Sequence, residues 1–233
     1  MKLSHALMAC SLAVLAVAPA LADAPHKESE AHAAFKEAVA AAVHGPATLH
    51  LLDQGTLALP QGMIFADHAH GKRLMEAVGN EVDDSAFVGL VLPEKGSGDW
   101  LMTIDYAAEG HVSDSDAGDI KPDKMLKVLQ DGTTEGNKFR QSKGIAPIEV
   151  TGWAEPPAYN SINHTLVWSA LVQEVGAPLG SEQTVNYNTR VLGRGGYFLV
   201  DLVDGQSAIG ADKTYARQVL DATRFNDGKR YTD

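Results

Sequence analysis

Three polar side chains alternate along one predicted strand near the end of the chain: Asn186, Asn188 and Arg190. Residues two apart in a β-strand point to the same side, so the two amides and the guanidinium share one face. Arg presents a planar fork of donors and the amides both donate and accept, which suits hydrogen bonding to a ligand or a partner protein. A solvated or purely structural polar face is the alternative. The pattern therefore predicts a candidate binding face.

A second group lies earlier in the sequence, around Glu155-Pro156-Pro157, which Trp153 and Tyr159 flank. Aromatic side chains with a polar tip are common at binding surfaces, so the two rings can form a rim near the polar strand face. Packing in the core is the alternative role for Trp153. We predict a binding site formed by Asn186, Asn188, Arg190, Trp153, Glu155 and Tyr159.

A rival site uses titratable side chains instead of amides. Asp105, Glu109, Glu155 and His164 are the groups that could act as acids, bases or ligand contacts if the fold gathers them in one cleft. The sequence separations do not bring them together, and charges on a strand face and in loops are the alternative. This hypothesis predicts a small-ligand binder or an enzyme with a carboxylate-lined cleft.

Metal and nucleophile chemistry find little support. Asp114 and Asp116 begin a pattern similar to an EF-hand loop, but Asp119 stands where that loop requires Gly. His68 and His70 would point about 200° apart on a helix, so they cannot share a metal. The sequence has no Gly-x-Ser-x-Gly motif, and its one cysteine is Cys10. We therefore expect no metal, no cofactor and no catalytic residues.

Composition excludes some classes of protein. The chain has 233 residues, 19 Lys and Arg against 30 Asp and Glu, and a formal net charge of −11. Proteins that bind nucleic acid or anionic lipid need a basic footprint, which this balance does not provide. The apolar fraction of 45% is that of a globular protein.

The first 22 residues have the form of a secretory signal peptide. Lys2 supplies a positive start, residues 7–20 are almost wholly apolar, and Ala20-Leu21-Ala22 places small residues at a cleavage site. The apolar run is short for a membrane span, although a retained N-terminal anchor is the alternative. We predict export to the periplasm or cell envelope after cleavage at residue 22.

Periodicity beyond residue 22 predicts alternating groups of helices and strands. Helices are expected within 23–44, from Asp67 to 78, over 122–143 and over 211–223. Strands are expected at 48–52, 56–59, 87–92, 100–106, 148–153, 165–175, 184–192 and 197–203, with 155–160 as a linker. Most strands follow one another through short turns. The prediction is an α+β fold, a largely antiparallel sheet covered by helices, with one domain over 45–233 and a helical segment over 23–44 before it.

Four stretches together carry a family resemblance: Leu59-Pro60-Gln61-Gly62, Gly152-Trp153-Ala154-Glu155-Pro156-Pro157, residues 185–196 and residues 225–231. From Gly45 to Tyr231 the chain resembles domain of unknown function 2167, a family of bacterial proteins described as membrane-anchored. The resemblance implies a place in the cell envelope and no established activity or catalytic residue. Family members usually continue after Gly-Lys-Arg-Tyr into an apolar anchor, whereas this sequence stops at Asp233. Membrane attachment is therefore expected only through a missing anchor or a retained signal segment.

Together these observations predict an exported, non-catalytic binding or accessory module of the envelope. Its expected partner is another envelope protein, bound at the strand face around Asn188. A small-ligand binder or enzyme with a carboxylate-lined cleft is the alternative, and a purely structural module is a third possibility.

Overall fold

The computed structural model describes residues 1–3, 30–94 and 98–233. These residues form four α-helices: α1 (Glu30–Ala41), α2 (His68–Ala77), α3 (Pro122–Ser142) and α4 (Ile209–Ala222). They also form eleven strands: β1 (Val43–His44), β2 (Ala47–Leu51), β3 (Gly55–Leu59), β4 (Met63–Asp67), β5 (Phe87–Pro93), β6 (Leu101–Ala107), β7 (Ile148–Asn160), β8 (Thr165–Glu174), β9 (Thr184–Leu192), β10 (Tyr197–Gly205) and β11 (Thr223–Phe225). The predicted α+β class is confirmed.

Eight strands build one sheet in the order β1-β4-β5-β6-β10-β9-β8-β7, and every neighbouring pair is antiparallel. A smaller sheet has the order β11-β3-β2. The β9–β10 hairpin turns through Gly196, whose φ is +156°. A Cβ at this position would lie 2.0 Å from the Ala107 carbonyl oxygen of β6, so the close approach of β6 requires glycine.

One face of the large sheet carries the main apolar core. Trp100, Met102, Ile104 and Tyr106 point to this side together, as the alternation of their strand predicts. The small sheet and α4 cover them, with Ala216 and Val219 as the buried residues of the helix.

The opposite face is covered at its two ends by different helices. Helices α1 and α2 pack on β4 and β5, while α3 packs on β7 and β8. Asp67 caps α2 by accepting the His70 N–H at 3.1 Å, as its position in the sequence predicts. The middle strands β6, β10 and β9 lie between the two covered ends, and this is where the polar side chains of the sheet are found.

The two largest differences from the prediction are at residues 155–160 and strand β4; the short strands β1 and β11 were not predicted either. Residues 155–160 are not a linker: they are the second half of β7, which pairs with β8 through several irregularities in register. Strand β4 was not predicted because four of its five residues are buried, so it lacks the alternation that marks a half-buried strand.

The predicted signal peptide lies outside the described residues except for residues 1–3. Across the part of the chain that the structure describes, the helices are too short or too polar to span a bilayer.

Candidate functional site: a cleft between α2 and α3

The floor of the cleft is the polar middle of the large sheet. Thr103 and Asp105 lie on β6, Asp201 on β10 and Arg190 on β9. Asp201 of β10 pairs with Thr103 of β6. Leu199, also on β10, pairs with Asp105 of β6 on one side and with Arg190 of β9 on the other. Because the four side chains share one face of adjacent strands, the sheet itself sets their spacing.

Arg190 and Asp201 form a buried ion pair. The Arg190 Nη1 donates to Asp201 Oδ1 at 2.6 Å, and neither side chain is more than 7% exposed. The same oxygen accepts the Thr189 N–H at 3.3 Å, and the guanidinium lies over the Trp168 ring at 4.7 Å. Charges removed from water must be paired and hydrogen-bonded, and these contacts meet that requirement.

Asp105 is the exceptional group of the floor. It is half-buried, and among the described residues it forms no ion pair. Burial, and then the nearby carboxylate of Asp201, raise the pKa of Asp105 to about 7, against the opposing hydrogen bond from Thr103 and the charge of Arg190. Near neutral pH this carboxyl group is therefore divided between its protonated and charged forms.

Helix α3 forms one wall of the cleft and is held firmly to the sheet edge. Asn137 Nδ2 donates to the Ile148 carbonyl at 2.8 Å, and its Oδ1 accepts the Ile148 N–H at 2.9 Å. Gly132 and Gly136 face the cleft from the same helix. No atom lies within 4 Å of the position that a Cβ at Gly136 would take. Gly136, which weakens the helix, therefore also leaves open space on the cleft side of α3.

The end of α2 and the segment after it form the other wall. Arg140 of α3 closes one end, because its Nε donates to the Ala146 carbonyl at 2.7 Å and its Nη1 to the Val78 carbonyl at 3.4 Å. Asp83 fixes the following loop by accepting the Ser85 N–H at 2.9 Å and hydroxyl at 2.7 Å. The enclosed space has a volume of about 1180 Å³. This is ample for a small organic molecule.

Acidic side chains outnumber basic ones in the lining. The acids are Glu81, Asp83, Asp105, Glu109, Glu135 and Asp201, and the bases are Lys138, Arg140 and Arg190. Arg190 is paired with Asp201, Lys138 with Glu135, and Arg140 with backbone carbonyls. The charge that remains available to a ligand is therefore negative.

The predicted binding face of β9 is buried, whereas a binding face was expected to be accessible. Asn186, Asn188 and Arg190 do point to the same side of β9, but they are only 1%, 4% and 3% exposed. Of the three, Arg190 alone lines the cleft. The other predicted residues lie on β7 outside the lining, where Trp153 packs partly against the core and Glu155 pairs with Lys213 at 2.8 Å.

The four titratable residues of the rival site do not come together in one cleft. Asp105 and Glu109 line the cleft, whereas Glu155 and His164 do not. Asp201 was not singled out from the sequence, although a lone acid within the apolar run Tyr197-Phe198-Leu199-Val200-Asp201-Leu202-Val203 is a signal of a paired buried charge.

Tyr159 and His164 belong to a second polar cluster, which we call the Asp114 cluster. Tyr159 donates its hydroxyl to Asp114 Oδ2 at 2.6 Å, and Tyr231 donates to Oδ1 at 2.9 Å. His164 Nδ1 lies 3.4 Å from Oδ2, and its ring packs on Tyr231 at 4.1 Å. The tyrosine hydroxyl groups lower the pKa of Asp114. No group of three or more potential metal ligands occurs among the residues that the structure places.

Comparison with known proteins gives a family match and several distant structural similarities. The family model described as "Protein of unknown function (DUF2167)" matches residues 43–233. No curated protein gives a significant sequence match.

Among solved structures, the chain is similar to the cyanobacterial PsbP protein (CyanoP) of Synechocystis sp. PCC 6803, with 11% identity and a TM-score of 0.45, over 75% of this chain and 88% of that one. It is also similar to the Saccharomyces cerevisiae Ran-binding protein Mog1p, with 11% identity and a TM-score of 0.36, over 76% of this chain and 94% of that one. Similarity at this level carries no information on function.

Proposed function

The chain belongs to the family DUF2167, and we propose that it binds a small organic cation, without catalysing a reaction, in the cleft between α2 and α3. A primary amine or a guanidinium group is the part of the ligand that the floor would recognise. The proposal favours the small-ligand alternative over a protein partner at the β9 face, because the amides of that face are buried.

One observation carries the proposal: Asp105 is an acid on the floor of an open cleft and, within the described part of the chain, forms no ion pair with a basic side chain. Burial, and then the neighbouring Asp201 carboxylate, make the charged form of this carboxyl unfavourable, which is why its pKa is raised to about 7. A cation placed against Asp105 would remove that penalty and gain a charge-assisted hydrogen bond. The remaining acidic lining would add attraction over a longer range.

The lining also supports binding rather than nucleophilic catalysis. Its described residues include neither His, Cys nor Ser, so the common pairing of a nucleophile with a histidine base does not occur among them. Thr103 and Thr133 are the hydroxyl groups present, and the Thr133 hydroxyl already donates to the Leu129 carbonyl at 2.7 Å. The arrangement suits a site that holds a ligand and releases it unchanged.

The test is a titration of the full chain with four small molecules at pH 8 and 150 mM salt. The probes are 1,4-diaminobutane, L-arginine, glycerol and succinate, and calorimetry reports the affinity. We expect one or both cations to bind with a defined stoichiometry and the neutral and anionic probes to show no binding. Salt at this concentration screens weak attraction to the overall negative charge.

Two matched variants locate the binding. Asp105→Asn should weaken cation binding at least tenfold, because the amide cannot carry the charge. Asp131→Asn removes one acid from the exposed side of the same helix that forms the cleft wall, and it should leave the affinity unchanged. Equal loss in both variants, or stronger binding of succinate than of either cation, would refute the proposal.

Export is a further part of the proposed function. The chain is proposed to reach the periplasm or cell envelope and to lose residues 1–22 on the way, on the evidence of Lys2, the apolar run and the Ala20-Leu21-Ala22 site. Fractionation of a bacterium that expresses the full chain, followed by intact-mass measurement, should find a product starting at Asp23 outside the cytoplasm. An uncleaved product confined to the cytoplasm would contradict this part. The predicted envelope partner stays a prediction.

A further inference from the structure

The cleft between α2 and α3 carries acids at two depths. Asp105 lies half-buried on its floor, whereas Glu81 and Glu109 are exposed members of the lining, which places them at its mouth. Glu81 belongs to the segment after α2, and Glu109 lies two residues beyond the end of β6. Within the described part of the chain, neither of these two glutamates forms an ion pair, in contrast to Glu135, which pairs with Lys138. Two carboxylates at the mouth are therefore available to a ligand, in addition to the acid of the floor.

Apolar side chains make up much of the wall beside these acids. They are Met75, Val82, Ala86, Phe87, Phe139 and Leu199. A ligand that extends from the floor to the mouth contacts this surface, and an aliphatic chain gains about 25 cal/mol for each Å² of apolar area that it buries there. The wall therefore favours a ligand whose charged groups are joined by hydrocarbon.

The chain itself limits the distance between the acid of the floor and one acid of the mouth. Asp105 and Glu109 are four residues apart, so their Cα atoms lie at most about 14 Å from each other even where the backbone is fully extended. The volume of the cleft, about 1180 Å³, exceeds the space that a single ammonium or guanidinium group fills. One linear molecule can therefore reach both levels.

The bases of the lining determine which charge the far end of the ligand can carry. Arg190 is paired with Asp201. Lys138 is paired with Glu135, and Arg140 donates to backbone carbonyls. A carboxylate on the ligand would thus meet the acids of the mouth, while the described bases of the lining are already engaged. Like charges repel one another, so the mouth disfavours an amino acid and favours a second cationic group.

We propose that the ligand of the cleft is a linear aliphatic polyamine, with one ammonium group at Asp105 and another at Glu81 and Glu109. The inference rests on the proposed function, since it uses the same cleft, and it adds the class of the ligand: at least two ammonium groups on an unbranched hydrocarbon chain. A monoamine would satisfy the floor and leave the acids of the mouth unused. An amino acid such as L-arginine would bring its carboxylate against them.

The experiment compares three probes with the same number of carbons that differ at the far end: octylamine, 1,8-diaminooctane and 8-aminooctanoate. Calorimetry with the full chain at pH 8 and 150 mM salt reports the affinities, because the amines are then charged and Asp105 is above its pKa of about 7. We expect 1,8-diaminooctane to bind at least threefold more tightly than octylamine and at least tenfold more tightly than 8-aminooctanoate. The first ratio is modest because ion pairs at an exposed mouth are individually weak.

A double variant and a matched control assign this preference to the mouth of the cleft. Glu81→Gln combined with Glu109→Gln should bind octylamine and 1,8-diaminooctane with affinities within twofold of each other. Asp123→Asn combined with Asp131→Asn removes the same amount of charge from α3 outside the lining, and it should keep the full preference. Glu109→Lys should raise the affinity for 8-aminooctanoate above that of the wild type.

Three results would overturn the inference: equal binding of octylamine and 1,8-diaminooctane to the wild type, a preference for the diamine that persists in the double glutamine variant, or tightest binding of 8-aminooctanoate. The first result would leave the proposed function intact if Asp105→Asn weakens the binding of octylamine. Failure of every amine to bind would refute the proposed function together with the inference.

Discussion

Asp105 and Asp114 are two acids whose surroundings shift their pKa values in opposite directions. Asp105 faces the cleft between α2 and α3 beside another acid, and burial raises its pKa to about 7. Asp114 accepts hydrogen bonds from two tyrosine hydroxyl groups, and its pKa is lowered. The charged form is favoured in the Asp114 cluster and disfavoured in the cleft.

This difference indicates that the Asp114 cluster stabilises the fold, whereas the cleft is suited to binding a ligand. In the Asp114 cluster, both carboxylate oxygens are satisfied by donors from the described chain. In the cleft, the charged form of the Asp105 carboxyl is unfavourable, and a cationic ligand can stabilise it. Active and binding sites often carry such locally unfavourable groups, and the rest of the fold must compensate for them. Four predictions test whether the cleft and the cluster differ in this way.

The largest effect is expected for the buried pair on the cleft floor. Arg190→Met leaves Asp201 buried and unpaired, and loss of one partner of a buried ion pair typically costs about 3–5 kcal/mol. The free energy of unfolding, from urea titrations at pH 7, should fall by that amount. The deficit should shrink at lower pH, where Asp201 can bind a proton, since burial raises its pKa.

Two further variants check that the loss comes from the unpaired charge. Arg190→Met combined with Asp201→Leu removes both charges and should recover most of the lost stability. Lys127→Met breaks the exposed pair with Asp131 on α3 and should change the stability by less than about 0.5 kcal/mol. A single Arg190→Met variant as stable as the wild type would mean that this pair does not hold the floor together.

The second prediction concerns Asp105. Since its folded pKa is raised, the folded state keeps a proton between about pH 4 and pH 7 that the unfolded state releases, so the stability of the wild type falls as pH rises through this window. Asp105→Asn imitates the protonated acid and escapes that loss. The variant should be more stable than the wild type by about 1–3 kcal/mol at pH 8 and nearly equal to it at pH 4.

Asp83→Asn is the control of opposite sign, since the Ser85 hydroxyl and amide lower the pKa of Asp83. That variant should lose stability at pH 8 and approach the wild type at low pH. If Asp105→Asn behaved like Asp83→Asn, the cleft would not be a site of unfavourable charge.

The sequence predicts the elements around both regions much better than it predicts their contacts. Strand β9 was predicted with the bounds that the structure shows, and its period of two places Asn188 and Arg190 on one face. The same period cannot tell a solvated face from a buried one, because that depends on which helices cover it. Here α3 and the segment after α2 enclose the floor of the cleft. The residues of β9 alone do not determine how either element packs over the sheet.

The sequence does not predict the contacts between residues that lie on different elements or far apart in the chain. Arg190 and Asp201 lie on neighbouring strands, and the acid stands alone in an apolar run. Asp114 and Tyr231 are 117 positions apart, so no local pattern links them. Gly136 leaves room for the cleft, but the sequence does not predict this role because it depends on what the helix faces.

The third prediction concerns the Asp114 cluster. Tyr159→Phe removes a hydrogen bond to a charged carboxylate, which should lower the free energy of unfolding by about 1–2 kcal/mol at pH 7. The folded pKa of Asp114 is lowered, so its contribution is present above about pH 4 and lost as pH falls further. The cost of Tyr159→Phe should therefore be smaller at pH 3 than at pH 7.

Tyr106→Phe is a suitable comparison, because that hydroxyl donates to the neutral Gln54 side chain at 3.0 Å. Its effect on stability should be the same at pH 3 and pH 7. A Tyr159→Phe deficit that does not change with pH would show that the hydroxyl stabilises the cluster through packing and not through the charge of Asp114.

The smallest expected effect comes from two glycines of the same helix region. Gly136 lies within α3 with open space before it, so Gly136→Ala should stabilise the chain by about 0.5–1 kcal/mol, through helix propensity alone. Gly144, just beyond the helix, has a φ of +71° and equally open surroundings, yet Gly144→Ala should cost about 1–2 kcal/mol because alanine disfavours that backbone conformation.

Thermal unfolding of the two variants distinguishes the effect of available space from the effect of backbone conformation, because the same methyl group is added in both. A stabilised Gly136→Ala protein that still binds the cation would show that glycine there is dispensable for stability and that a methyl group leaves room for the ligand. Gly136→Leu then extends the side chain into the cleft and should abolish binding while α3 stays folded. If Gly136→Ala instead destabilised the chain, the space beside Gly136 would be filled in solution, and the cleft would be closed without its ligand.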